Sequence, residues 1–427
     1  MNNISLLCCT ILCFIICCIN IKQIGLRNKT FVLPSTVFSF MWGITSLGGF
    51  LYSNNIIGNN DYYVYANNLE TIGDYQFLIL ITAFMAFIFV HVKYNKMSID
   101  IPTTFAYKEV PLISKKLKWF LYAYFVVGLI RMFIVLSTVG FDYAAIRTTY
   151  IEGRGTFSTF DLNLIRVASY LSVFAQFYIC LFGVECATKG INYRKFIYNF
   201  ILFCPFQMSF GGRLFILSFF MPFFFSYFLM FYSLSTSVKY RKQEKRKIRL
   251  IVVVPIFLLI FFQILKMGAN LSLDSFSEFF TEIFYTSSSY IHLNEFWAEL
   301  PSNFEFEWGQ NIMGLGSDIY QKIRESWIVT HNSAIYCVSS MIPQMYLDFG
   351  KYISLFIYFV MFYNIEKYAF LSLKKTDIKG YLTFILLCII SYQTAASSMS
   401  DILKTLVVGY IVIIIIVRTL KRKTYNL

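Results

Sequence analysis

Apolar residues neither alternate along this chain nor keep to one helical stripe. They come in long runs separated by short polar breaks. Eleven runs stand out, at about 4–21, 31–51, 75–92, 119–139, 163–187, 196–210, 214–232, 250–266, 347–365, 380–396 and 402–417. Each is near the roughly 20 residues that carry a helix across a bilayer. In lipid such a run must form a helix, because a free backbone N–H or C=O finds no partner there. The pattern predicts an all-α polytopic transmembrane helical bundle of about 11 spans. The first run has no basic segment before it and no small-residue cleavage site after it, so a retained span is expected. No internal repeat or flexible linker interrupts the series, which predicts a single membrane domain over 1–427.

Charge in the breaks sets the orientation. Basic clusters follow the odd-numbered runs: Lys22, Arg27 and Lys29 after the first, six lysines between Lys93 and Lys118 after the third, and Lys189, Arg194 and Lys195 after the fifth. Seven more bases lie between Lys239 and Arg249, four between Lys367 and Lys379, and Arg418, Lys421, Arg422 and Lys423 come at the end. Basic loops stay cytoplasmic. The N-terminus is then outside and the C-terminus inside. Residues 196–232 are nearly uninterrupted apolar sequence with basic flanks on both sides, so the chain must go out and return within them. The turn-like break is Gly211-Gly212-Arg213, because paired glycines allow a tight reversal. Arg213 is expected at the outer headgroup level.

The remaining breaks are external. The largest, 267–346, lies between spans 8 and 9 and is long enough for a small extramembrane subdomain. It holds ten of the 23 acidic residues, counting Asp348 at its end, with two of the three His and three of the five Trp. Apolar positions from Leu273 to Phe284 recur at helical spacing and predict an amphipathic helix over 273–300 on the outer membrane surface.

Composition supports the class. Hydrophobic residues make up 57% of the 427 and charged residues 14%. Soluble domains carry about 25% charged residues, so a soluble enzyme is excluded. The net charge of +14 sits in loop clusters and marks cytoplasmic ends, not a nucleic-acid surface. Cys8, Cys9, Cys13, Cys17 and Cys18 crowd the first run without metal spacing and read as lipid-embedded thiols.

Candidate chemistry starts from charges at membrane depth, which are costly and tend to be functional. These are Arg131, Arg166, Arg213, Lys266 and Lys404, with Arg147, Arg154 and Arg324 in external loops. Arginine suits phosphate because its planar fork donates two hydrogen bonds and keeps its charge. An outward-facing set at headgroup depth fits a pyrophosphate-linked lipid; each arginine also suits ordinary lipid phosphates, to which it snorkels. His331 in THNSAIY precedes the ninth run, and histidine accepts a proton near neutral pH. The external acids Asp274, Glu278, Glu282 and Glu295 are the alternative bases, or else the solvated face of the amphipathic helix. Asp348 in MYLDFG is expected to cap or orient a helix end. Tyr62, Tyr63, Tyr65, Trp297 and Trp308 are able to stack on sugar faces or to belt the interface. The sequence has no phosphate-binding glycine loop of the ATPase kind and no His/Asp/Glu cluster with metal spacing.

These features resemble a family. Many spans, the hairpin GGRLFILSFF, one large late external loop and an HN…YLDFG segment entering the next span resemble the Wzy-type O-antigen polymerases, the oligosaccharide repeat unit polymerases. YTSSSYIHLNEF and MYLDFGKYISL look like the flanks of the large loop in that family. The resemblance runs from about Arg147 to Lys367.

It implies a metal-independent and cofactor-free membrane glycosyltransferase in the bacterial inner membrane, acting in lipopolysaccharide or capsular polysaccharide biosynthesis. The growing glycan would pass from undecaprenyl pyrophosphate to a sugar hydroxyl of the next lipid-linked repeat unit at the outer face. Arg213 matches the G-G-R arginine and Arg147 that of the preceding external loop. His331-Asn332 is similar to a His-Asn pair of O-antigen ligases and some polymerases. The catalytic expectation is then His331 and Arg213, with Arg147, Arg154, Arg324 and Asn332 binding substrate. Partners would be the undecaprenyl-pyrophosphate-linked oligosaccharide, membrane lipid and a chain-length regulator protein, with no nucleic acid. An O-antigen ligase, or a non-enzymatic flippase of the lipid-linked unit, remains an alternative.

Overall fold

The computed structural model describes residues 4–24, 33–54, 70–94, 110–140, 146, 158–209, 214–234, 238–267, 305–313, 341–374, 377–395 and 399–424. The regular structure of these residues is helical. The helices are α1 (Ile4–Ile19), α2 (Pro34–Ser53), α3 (Glu70–Tyr94), α4 (Val110–Val139), α5 (Thr159–Lys189), α6 (Tyr193–Met208), α7 (Leu214–Ser233), α8 (Val238–Met267), α9 (Met341–Lys374), α10 (Ile378–Gln393) and α11 (Met399–Thr424). A wider π turn, Asn20–Ile24, extends α1. Each apolar run of the sequence thus falls on a helix. Among the described residues, five helical stretches are long and apolar enough to cross a membrane: Ile4–Lys22, Tyr75–Tyr94, Val110–Val139, Thr159–Lys189 and Gln344–Lys374. Ser218–Phe231 and Ile378–Gln393 are shorter apolar helices.

Several helices outrun their apolar runs. Helix α4 begins at Val110, ahead of Lys115, Lys116 and Lys118. Its buried stripe of Val110, Ile113, Leu117, Leu121, Tyr124, Gly128, Arg131 and Val135 holds one phase through the basic segment. Hydropathy reports the lipid-facing length, whereas the helical period continues wherever one face stays covered. The opposite face of α4 exposes Trp119, Val126 and Phe133, apolar side chains suited to lipid.

Contacts divide the chain into two compact units, one of residues 1–98, 270–371 and 387–406 and one of residues 99–269, 372–386 and 407–427. In the first, α1 packs on α2 and α3. Its covered face is Leu6, Cys9, Thr10, Cys13 and Cys17. Gly43 of α2 lies so close that a Cβ there would sit 3.1 Å from the Cys13 Cβ. The thiols thus serve as small residues that let two backbones approach. Phe38 of α2 packs its ring against Phe362 of α9, centroids 4.7 Å apart, and against Phe84 and Phe87 of α3.

The cytoplasm-facing end expected for this unit carries a buried carboxylate. Glu366, fully buried, accepts from the Ser35 N–H at 2.9 Å and the Ser35 hydroxyl at 2.6 Å. It also pairs with His91 Nε2 at 2.7 Å, and Asn20 donates to the Ser35 hydroxyl at 3.0 Å. Ser35 is in the first turn of α2, so the acid meets the free N–H groups and positive dipole end of that helix.

In the second unit, α5 packs on α4 and α7, and α6 packs on α4 and α7. Phe196 of α6 meets Phe223 at 5.1 Å, while Phe200 and Phe203, further along, meet Phe219 at 5.1 and 5.7 Å. Rising numbers in α6 pair with falling numbers in α7, so the two helices run antiparallel. The apolar stretch 196–232 therefore does reverse. Two glycines allow close approach: a Cβ on Gly128 would fall 2.5 Å from the Phe206 nitrogen, and one on Gly183 would fall 2.7 Å from the Phe223 carbonyl. At the basic end, buried Glu244 of α8 accepts from the Ile191 N–H at 3.0 Å and from Lys247 at 2.8 Å, pinning the α5–α6 connection.

Candidate functional site

Arg213, Arg147, Arg154, Arg324, His331 and Asn332 all lie outside the described residues, as do the 273–300 segment, Tyr62, Tyr63, Tyr65 and Trp297. The structure describes the helix ends that frame them. Arg147 and Arg154 fall between the end of α4 and the start of α5, and Arg213 falls between α6 and α7. Arg324, His331 and Asn332 fall between the 305–313 turn and α9.

The start of α5 and the end of α6 are tied to α4 two turns before its end. Arg131 of α4 is fully buried and its Nε lies 3.2 Å from Oδ1 of Asp161, itself 1% exposed. Its Nη1 donates to the hydroxyl of Ser209, the residue that ends α6. The guanidinium stands 5.8 Å from the centroid of the Phe206 ring. Asp161 is placed by a cap: its N–H donates to Ser158 Oγ at 3.2 Å, the N-cap of α5. A side chain accepting from the N–H three residues ahead is an ordinary N-cap, and here the acid at that third position turns to Arg131. Desolvating both charges costs several kcal/mol each, and only their mutual attraction and hydrogen bonds offset it. Such a pair at membrane depth marks a place whose geometry matters.

Arg131 is one of the five charges that the sequence singles out for membrane depth. Arg166 is exposed, Lys404 half-buried, and the side chain of Lys266 is outside those described. Asp161 escapes a reading by apolar runs because it falls outside them, within the external loop and two residues before the fifth run. The Ser158–Asp161 capping signature is what could have found it. Glu366 escapes for the same reason, one residue past the end of the ninth run.

A second feature lies in the first unit. Residues 305–313 fold as a compact turn on the start of α9. The Glu307 N–H donates to the Leu347 carbonyl at 3.1 Å and the Trp308 N–H to the Asp348 carbonyl at 3.2 Å. The Asp348 carboxylate, fully buried, accepts from the Asn311 and Ile312 N–H groups at 3.2 and 3.0 Å and from Asn311 Nδ2 at 2.8 Å. From the sequence Asp348 is expected to cap or orient a helix end; its carboxylate instead holds this turn. Phe306 packs flat against Gly350, where a Cβ would come within 2.8 Å of the ring. Gly350 has φ 68° and ψ −175°, a combination open to glycine alone.

The turn leaves Trp308 67% exposed at φ 42°, the one positive φ on a non-glycine among the described residues. Left-handed backbone costs an L-residue roughly 1–2 kcal/mol. The buried Asp348–Asn311 clamp is what holds it there. Compared with models of known protein families, with curated proteins and with solved structures, the chain matches none of them.

Proposed function

We propose that this chain polymerises lipid-linked oligosaccharide repeat units at the outer face of the bacterial plasma membrane. The observation that carries the reading is the Arg131–Asp161–Ser209 tie. It joins the start of α5 and the end of α6, from which the segments bearing Arg154 and Arg213 depart, to the body of α4 two turns before the segment bearing Arg147. Fixed helix ends favour a fixed arginine set, and preorganised positive charge is what a pyrophosphate leaving group requires. The likeness to O-antigen polymerases and the alternation of basic loops point the same way. The orientation proposed is N-terminus outside and C-terminus inside, with eleven spans.

The chemistry is a glycosyl transfer. The acceptor hydroxyl oxygen forms a bond to the anomeric carbon of the donor glycan. The bond from that carbon to the pyrophosphate oxygen breaks, and undecaprenyl pyrophosphate leaves with the electron pair. His331 takes the hydroxyl proton, Asn332 orients the acceptor, and Arg213 with Arg147, Arg154 and Arg324 holds the pyrophosphate. No metal or nucleotide sugar enters this scheme, because the donor is already activated.

Two variants separate the roles. Arg213→Lys keeps the charge and loses the two-pronged geometry, so binding of a lipid pyrophosphate analogue should fall. His331→Ala should bind the analogue as the wild type does while turnover drops by about 10²–10⁴-fold, as for a lost general base. Wild-type polymer from His331→Ala would remove that residue from the site. Unchanged analogue binding in Arg213→Ala would move the pyrophosphate to Arg147, Arg154 or Arg324.

A further inference from the structure

We propose that the 305–313 turn is a glycan-stacking platform, with Trp308 as the stacking ring and Glu305 and Glu307 as acceptors for sugar hydroxyls. The inference rests on the reading that this protein handles a lipid-linked oligosaccharide, and it assigns the place where a sugar ring of that glycan is held.

Three observations converge on it. The first is conformation: Trp308 adopts a backbone geometry that bulky residues avoid, and a strained residue held by its surroundings points to function. The second is rigidity. Buried Asp348 and Asn311 anchor the turn through three hydrogen bonds, and Phe306 wedges it against Gly350. The fold therefore fixes the backbone that carries the indole, sets the ring edge-on to Phe306 with centroids 6.2 Å apart, and leaves most of its surface uncovered. A ring on a backbone already held in place loses less entropy when a ligand stacks on it.

The third is charge, and it separates a glycan from the lipid surface. Residues 305–313 contain two acids and no base. Glu305 is exposed and Glu307 half-exposed, one on each side of Phe306 and both within three residues of Trp308; Glu307 Oε2 already accepts from Asn311 Nδ2, which leaves Oε1 for a ligand. Tryptophans that anchor helices in an interface keep company with Lys and Arg, which meet lipid phosphates. Carboxylates repel those phosphates. They accept instead from neutral donors, and the hydroxyls of a sugar are such donors, while its C–H face packs on an aromatic plane.

The test uses the full chain in nanodiscs and the repeat-unit oligosaccharide released by mild acid from the host's lipid-linked pool. Binding is read by saturation-transfer NMR for wild type, Trp308→Ala, Trp308→Leu and Trp308→Tyr, each checked for an unchanged unfolding midpoint. Trp308→Ala and Trp308→Leu should both weaken binding by about 5- to 100-fold, the range of a lost stacking partner, while Trp308→Tyr stays within a few-fold of wild type. In cells the first two should shorten the polymer. Leucine still anchors in lipid but cannot stack. A Trp308→Leu variant that behaves as wild type while Trp308→Ala fails would make Trp308 a membrane anchor and overturn the proposal. Equal binding by all four, or no binding by any, would also overturn it. Binding that depends on Trp308, in a protein whose loss leaves polymer intact, would keep the platform and discard the polymerase.

Discussion

A guanidinium and a carboxylate that are both closed off from solvent exist only because each neutralises the other. Removing one partner of such a pair leaves an uncompensated buried charge, which costs about 3–5 kcal/mol. Removing both and filling the space with apolar atoms is often nearly neutral. For Arg131 and Asp161 this gives a sharp expectation. Arg131→Met and Asp161→Asn should each lower stability to unfolding in mixed micelles by that amount. The double variant Arg131→Met with Asp161→Asn should lose much less than the sum of the two single losses, the mark of direct coupling. Additive losses would mean that the two side chains act separately. The sequence makes Arg131 legible twice over, as a charge inside an apolar run and as a residue in phase with Leu117, Leu121, Tyr124 and Gly128. Asp161 is not legible by hydropathy, since acids at loop edges are common. Trp308 is legible as an external aromatic, but its backbone strain is a product of the Asp348 clamp, formed by residues nearly forty positions apart.

At the scale of elements, lipid makes helices easy to find and their contacts hard to find. A run of apolar residues dictates a helix because backbone groups have no other partner, and so every run coincides with one. The faces that meet are set by small residues, since lipid tails are as apolar as the side chains they would displace. The cysteines of α1 and Gly43 of α2 make one such seam, and Gly128 of α4 against Phe206 of α6 makes another. Gly128→Ala should push α4 from α6 next to the Arg131–Ser209 bond, costing about 1–3 kcal/mol as overpacked cores do. Phe133→Ala, on the exposed face of the same helix, should cost little. Unfolding midpoints of the two variants side by side provide the check, and the reverse ranking would mean that the packed face of α4 is the other one.

For the whole molecule, the basic clusters divide the helix ends into two sets. The buried acids follow that division. Glu366 and Glu244 lie toward the basic ends and stabilise helix starts and connections there. Asp161 and Asp348, each in its own unit, adjoin in sequence the segments that carry the candidate arginines and His331. The first two do structural work beside loops rich in Lys and Arg; of the second two, Asp161 fixes the start of α5 in its unit and Asp348 fixes the 305–313 turn in the other. The central claim is the proposal that this protein joins one repeat unit to the next. It is tested most directly by the surface glycan profile of a strain lacking this protein, with the intact chain restored as control. The account predicts single repeat units on the acceptor and recovery of the polymer ladder on restoration. An unchanged ladder, complete absence of attached glycan, or build-up of the lipid-linked unit inside the cell would contradict it.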